Sequence, residues 1–389
     1  MIDYGEFERE LEDLRAKGLA RSLRASGEAG VNLSSNDYLS LSSHPAVIDG
    51  ARAALERLGS GGTSSRLLAG TSDLHTSLEN RLADFVGKEA AMVFSSGYHA
   101  NTGILPALLG ADDLVVFDRL CHASIIDGVR LSGAAFAPFA HNDTGDLNKV
   151  LSRKRRGRRR AIVVTEGFFS MDGDRPPLAE ISGAARLHDA LLYLDEAHSL
   201  GVTGPDGKGV AWEDGLADRI DLHVGTLSKS LASQGGFVAA RRTIIDLLIT
   251  RCRSFLFTTA LAPACAGAAI AALDLLPSLE DRRRRLRDDA DELRAGLKAL
   301  GYDTLASASP IVPVWTGTVA MTQKLSGHLL KKGFFVPSIR PPTVPTGEGR
   351  VRLSITYRED RRWLKDLLVA FESYGERPHQ EGERIVQAG

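Results

Sequence analysis

Cysteine is scarce in this chain: Cys121, Cys252 and Cys265 are the only three in 389 residues, widely spaced and without a CxxC pair. Such a set excludes a disulfide framework and a zinc ribbon and suits a reducing cytosol. Net charge is almost absent too, 48 Lys+Arg against 49 Asp+Glu leaving −1. That balance argues against a protein built to neutralise nucleic acid or an anionic membrane. Long apolar runs are also missing. The longest, ACAGAAIAALDLL over 264–276, is interrupted by Asp274 and is too short to cross a bilayer. The opening residues, MIDYGEFERELEDL, are acidic and amphipathic, the opposite of a signal or transit peptide. These absences lead to the expectation of a soluble, cytoplasmic protein with no nucleic-acid or membrane partner. With 43% hydrophobic and 25% charged residues, the composition is that of an ordinary globular chain.

What is present is a repeating α/β pattern. Short apolar runs occur at 90–95, 113–118, 134–139, 160–166, 191–196, 221–225 and 235–240, and most are separated by stretches of helical periodicity. Strands that are apolar without alternation are covered on both faces. The prediction is therefore an α/β fold, a mostly parallel seven-stranded sheet flanked by helices. The last two runs lie so close that their connection is expected to differ from a crossover. A helix is predicted within 3–25 from Phe7, Leu11, Leu14, Leu19 and Leu23. Beyond about 300, short strands (SPIVPVW, GRVRLSI) mix with amphipathic helices at 318–332 and 359–373, which marks a smaller α+β domain. The expected division is an N-terminal arm over 1–45, a large domain over 46–280 and a small one over 281–389, with the N-terminal helix a candidate to pack on the last.

Five polar elements fall at the ends of predicted strands. LLYLDEAHSLG puts Asp195 at the carboxyl edge of the sheet, where ligands bind in open α/β folds, with His198 three residues on. DLHVGTLSKS puts Thr226, Ser228 and Lys229 at that edge, and a lysine so placed can form a Schiff base with an aldehyde cofactor. FSSGYHANTG turns from strand to helix through Gly97 and Tyr98, leaving helix N-terminal amides for a phosphate. TEGFFSMDGD and DRLCHAS add Ser170 and His122. The letters DEAH also suggest a nucleic-acid ATPase, but the GxxxxGK[ST] loop that such an enzyme needs is missing. Two basic runs remain: 152–160 reads as a surface loop, and 281–289 as a solvated helix face with i,i+4 pairs.

Taken together, SNDYLSL, GTSSRLLAGTSDLH, FSSGYHAN, DRLCHAS, HND (141–143), TEGFFSMDGD, DEAH, TLSKS and IRPPTVP resemble the α-oxoamine synthases, a family of fold-type I pyridoxal-phosphate (PLP) enzymes. The resemblance runs from about Arg21 to about residue 375. It implies PLP as cofactor, held by Lys229, with Asp195 pairing the pyridinium nitrogen and His122 stacked on the ring. It places His198 and Ser170 at the phenolic oxygen, and Gly97, Tyr98 and Thr226 at the cofactor or its phosphate. Arg21 and Thr343 match substrate positions, Arg352 matches the arginine that holds the amino-acid carboxylate, and Thr258 matches a residue reaching the phosphate of a neighbouring subunit. A homodimer with active sites at its interface follows from the same likeness.

The implied reaction joins an amino acid to an acyl thioester, on CoA or an acyl carrier protein, with loss of CO2. A carbanion at Cα is poorly stabilised by water, and a protonated pyridinium delocalises it. At about 3 Å and an effective dielectric of about 20, a carboxylate favours that charged ring by roughly 5 kcal/mol. Within the family, IRPPTVP favours the biotin-pathway pairing of L-alanine with a pimeloyl thioester. TYRED (356–360), Ser199 after DEAH and Cys121 before His122 depart from the commoner pattern. The alternatives are glycine C-acetyltransferase, 5-aminolevulinate synthase, serine palmitoyltransferase or a specialised-metabolite synthase. Cys121 is expected to be inert.

Overall fold

The computed structural model describes residues 4–23 and 30–375. Its strands are β1 (Val31–Asn32), β2 (Ala90–Phe94), β3 (Leu114–Asp118), β4 (Ala135–Phe139), β5 (Ala161–Glu166), β6 (Leu191–Asp195), β7 (Leu222–Thr226), β8 (Gly236–Ala240), β9 (Ile311–Gly317), β10 (Phe334–Phe335), β11 (Ser338–Ile339) and β12 (Gly349–Ser354). The chain divides into two units. The larger comprises Asn36–Ser170 and Asp174–Leu286, and the smaller Met1–Ser35, Met171–Gly173 and Arg287–Gly389.

All seven predicted runs become strands of one sheet in the larger unit, in the order β2-β8-β7-β6-β5-β3-β4. Every pairing is parallel except those of β8, which is antiparallel to both β2 and β7. The expected change of connection is this reversal, made over residues 227–235, the segment that carries Lys229. Every residue of β2, β3, β5, β7 and β8 is buried, as a sheet covered on both faces requires. β4 is one of the two edge strands. It exposes Phe136 and Pro138, and proline is tolerated there because it has no amide to give.

Crossover helices start from side-chain caps just beyond the strands. Ser96 caps Gly97–Leu108, His122 caps Ala123–Leu131 and Asp143 caps Thr144–Lys154, each meeting an amide that has no intrahelical partner. Helices Pro45–Leu58 and Pro263–Leu275 cross at two glycines. A Cβ on Gly50 would lie 2.7 Å from the Gly267 carbonyl oxygen, and one on Gly267 2.3 Å from that of Gly50. The apolar run of 264–276 is thus a packed helix of 13 residues. A groove of about 300 Å³ beside this crossing is lined by Ala53, Arg57, Ile270 and Asp274, and by none of the predicted site residues.

In the smaller unit β9, β12 and β11 form an antiparallel sheet, and β1 pairs in parallel with β10. The N-terminal helix is shorter than predicted, Gly5–Ala16. Gly18 turns left-handed at φ +66°, so Leu19 and the fully exposed Leu23 lie beyond it.

The basic runs also come out differently from their sequence pattern. In 152–160 the arginines fold back on the protein: Arg155 binds the His188 and Asp189 carbonyls, Arg159 the buried Asp113 carboxylate, and Arg160 the Leu108 carbonyl. In 281–289 the face is not wholly solvated. Arg283 is 1% exposed and donates to the Leu276 carbonyl at 2.6 Å. Two of the ion pairs there, Glu280–Arg283 and Asp281–Arg284, are spaced i,i+3.

Candidate active site

Four strands end at the same edge of the large sheet, at Asp118, Glu166, Asp195 and Thr226. Each terminal side chain is buried. Buried polar atoms need partners, so the question at this edge is who supplies them.

Asp195 is held by two donors. Its Oδ2 accepts from Asn101 Nδ2 at 2.8 Å and its Oδ1 from the Ala197 amide at 2.9 Å. Asn101 lies one turn into the helix Gly97–Leu108 and is itself fixed, donating to Ser124 Oγ at 2.9 Å and accepting from the Tyr193 hydroxyl. The carboxylate therefore has a set orientation.

Lys229 sits in the reversal after β7, with Nζ 2.7 Å from His198 Nε2. The other nitrogen of His198, Nδ1, is 2.7 Å from the hydroxyl of Tyr38. His122 caps its helix, with Nδ1 2.7 Å from Ser124 Oγ, and its amide donates to the Glu166 carboxylate. Burial pushes the His122 imidazole below the ordinary histidine value; Asp195 opposes the shift and Lys229 adds to it. Burial and the neighbouring Asp195 push the Glu166 carboxyl well up, against its bond from the His122 amide and the charge of Lys229. Asp195 and Lys229 thus bear on the same two groups: one amine and one carboxylate share a single electrostatic neighbourhood.

Gly97 opens its helix opposite Thr226, and a Cβ on Gly97 would lie 3.5 Å from Thr226 Oγ1. That hydroxyl donates to the Gly235 carbonyl at 2.8 Å and lies 3.0 Å from Ser228 Oγ. Tyr98 is half exposed, and its hydroxyl donates to Asp127 at 2.7 Å, a bond that raises its pKa. Ser170 is buried in the loop after β5. Thr258 is half-buried between two helices, and among the described residues no hydrogen bond joins it to this cluster. In the smaller unit, Arg21 donates to Thr343 Oγ1 at 2.9 Å across 322 residues of sequence. Arg352, on β12, is buried and donates to Ser354 Oγ at 2.7 Å. Cys121 is buried with its thiol pushed well up by burial, which keeps it protonated and unreactive.

An aldehyde-bearing, anionic heteroaromatic such as PLP needs a primary amine, a buried carboxylate for its ring nitrogen, a neutral ring partner and free amides for its phosphate. Lys229, Asp195, His122 and the start of the helix at Gly97 meet that list. Three further residues emerge only in three dimensions: Tyr38, Asn101 and Glu166. Asn101 and Glu166 lie inside motifs already visible in the sequence, and burial next to a charged strand end is the signal that marks them.

Residues 28–366 match the model of the family Aminotransferase class I and II. The 8-amino-7-oxononanoate synthase of Geobacter sulfurreducens is 45% identical over 379 residues, covering 94% of this chain and 97% of that protein. That of Anaeromyxobacter dehalogenans is 45% identical over 372 residues, 93% of each. Among solved structures, serine palmitoyltransferase from S. paucimobilis with a bound PLP–myriocin aldimine superposes at a TM-score of 0.89, with 34% identity over 96% of this chain and 97% of that one. The 8-amino-7-oxononanoate synthase of Francisella tularensis superposes at 0.75, with 26% identity over 88% and 96%. By its sheet order, its strand-end lysine and carboxylate, and these relatives, the chain belongs to the aminotransferase class I and II family.

Proposed function

We propose that the chain is a PLP-dependent acyltransferase that condenses L-alanine with a pimeloyl thioester, releasing CO2 and the free carrier thiol and giving 8-amino-7-oxononanoate for biotin. The observation that carries this reading is that the Lys229 amine, 2.7 Å from His198, and the buried Asp195 carboxylate, held by Asn101 and the Ala197 amide, lie at the carboxyl edge of one sheet, in a chain 45% identical to synthases of that name over nearly their whole length. PLP, when bound, supplies the electron sink that makes a Cα carbanion accessible.

The residues of this chain do the rest. Lys229 would hold the cofactor, with Asp195 at its ring nitrogen, His122 against the ring, and His198 and Ser170 at its phenolic oxygen. Gly97, Tyr98 and Thr226 would take the phosphate, joined by Thr258 from a second copy in a homodimer. Arg352 would hold the amino-acid carboxylate, with Arg21 and Thr343 touching substrate. Lys229 Nζ removes and returns the proton at Cα, passing it no further than His198 Nε2, 2.7 Å away. The Cα attacks the thioester carbonyl, the thiol leaves, and the carboxylate departs as CO2. Three unpaired thiols support a cytoplasmic setting.

Purified holoenzyme given L-alanine and a pimeloyl thioester should release the free thiol and form 8-amino-7-oxononanoate, detected by mass. Glycine or L-serine should give much less turnover. A second reading, condensation of serine with a long-chain thioester, is favoured by the closer superposition on serine palmitoyltransferase. Turnover of serine but not alanine would select it. Turnover of neither, with PLP bound, would overturn both.

A further inference from the structure

The phenol of Tyr38 touches the machinery at a point that the family resemblance leaves unassigned. Tyr38 is 0% exposed, and its ring stands edge-on to His198 at 6.1 Å. Its hydroxyl is 2.7 Å from His198 Nδ1 and 3.4 Å from Asn36 Oδ1. The turn that carries it is braced on all sides. The Asp37 carboxylate accepts the amides of Leu41 and Ser42 at 2.8 and 3.0 Å, Ser40 is left-handed at φ +53°, and Arg282 donates to the Leu39 carbonyl at 2.9 Å. A braced turn holds the hydroxyl at a fixed point.

Through His198 that point is two bonds from Lys229, because Nε2 lies 2.7 Å from Lys229 Nζ. A neutral imidazole has one donor and one acceptor nitrogen, and which is which is set by the partner of the other. An ammonium at Lys229 can only donate, so Nε2 must accept and Nδ1–H must find an acceptor. A phenol oxygen accepts, and its own hydrogen turns on toward Asn36. The donors then run in one direction from Lys229 through His198 to Tyr38.

We propose that Tyr38 is a positioning residue that fixes His198 as the Nδ1–H tautomer, so that Nε2 can take a proton from Lys229 and leave a free amine for the cofactor aldehyde. The inference rests on the reading of Lys229 as the cofactor lysine. The step balances: Lys229 Nζ loses one proton, Nε2 gains it, and the resulting imidazolium keeps Nδ1–H on the Tyr38 oxygen. Without the hydroxyl, a buried N–H of a charged ring has lost its acceptor, and the amine retains its proton to higher pH.

The test follows capture of PLP by cofactor-free full-length protein as a function of pH, read from the rise of the cofactor's visible absorbance. Tyr38→Phe should slow capture near neutral pH by about tenfold, the weight of one buried hydrogen bond, and move the midpoint of the pH profile up by about one unit. The same substitution made on His198→Ala should add nothing. An unshifted profile in a folded Tyr38→Phe protein overturns the proposal. Should that variant fail to fold, nitrogen-15 spectra of histidine in the unsubstituted protein decide instead, the His198 signal being assigned by its loss in His198→Gln. Protonation at Nδ1 supports the proposal and protonation at Nε2 overturns it. Lys229→Ala separates the two readings: if it captures PLP with the same absorbance, the cofactor assignment fails, whatever Tyr38 does.

Discussion

Two histidines near the carboxyl edge of the large sheet have both ring nitrogens engaged, and their partners give them opposite characters. His141, beyond β4, is clamped between two acids, Nδ1 2.9 Å from Asp118 and Nε2 2.7 Å from Asp174, with its ring edge-on to Phe169. Burial alone would lower its pKa, but the two carboxylates outweigh burial and raise it to about 9. Its proton is locked. His198 lies between a hydroxyl and an amine, groups that can each reverse roles as the proton moves. Acid partners turn a histidine into a structural cation; a phenol and a lysine leave it able to exchange.

The sharpest way to break this contrast is at the lysine and its opposed carboxylate. Lys229→Ala should abolish turnover and the covalent cofactor band together. Asp195→Asn should lower kcat by three to four decades, since roughly 5 kcal/mol of charge stabilisation is at stake. Activity close to the unsubstituted level in either purified variant would sink the assignment. Asn101→Ala leaves the Asp195 carboxylate in place but takes one of its two donors; a fall in kcat of about tenfold to hundredfold is expected, with the cofactor still bound by absorbance.

At the structural end, His141 predicts a pH dependence of stability. Because its folded-state pKa of about 9 lies above the ordinary 6.5, its contribution is complete below about pH 6.5 and is lost as pH rises through 9. Glu196 works in the same direction. Burial raises it to about 8 against its bonds from the amides of Val210 and Ala211, so its contribution is complete below about pH 4.5 and is lost as pH rises through 8. Denaturant titrations at pH 6.5 and 9.5 should differ by about 5 kcal/mol, about 3 from His141 and about 2 from Glu196. His141→Asn should remove most of that difference while leaving the pH profile of cofactor capture unmoved. The smallest effect belongs to Ser199, whose hydroxyl donates to Glu196 at 3.2 Å and sits where a Cβ on Gly167 would fall. Ser199→Gly should cost about 1 kcal/mol or less, read as a small drop in Tm with unchanged substrate preference. A switch in amino-acid preference would instead make Ser199 a determinant of specificity.

The sheet and its reactive edge were legible because they depend on local pattern. Unbroken apolar runs mark strands covered on both faces, and Asp195, Thr226 and Lys229 could be placed from where those runs stop. Arg283 was not legible. Its run of arginines reads as a wet surface, yet one guanidinium is buried on the Leu276 carbonyl, because only packing chooses which member of a charged run turns inward. The N-terminal helix was overextended for a related reason: the leucine spacing continued past Gly18, but the backbone did not.

The sequence by itself determined the strand order along the chain, the lysine and the carboxylate, and the family they point to, since these follow from hydrophobic periodicity and from motifs of contiguous residues. Tertiary structure alone decided which groups stand behind them. Asn101 meets Asp195 across 94 residues and Tyr38 meets His198 across 160. Proton position and carboxylate orientation depend on distances of a few ångströms, which chain separation does not encode.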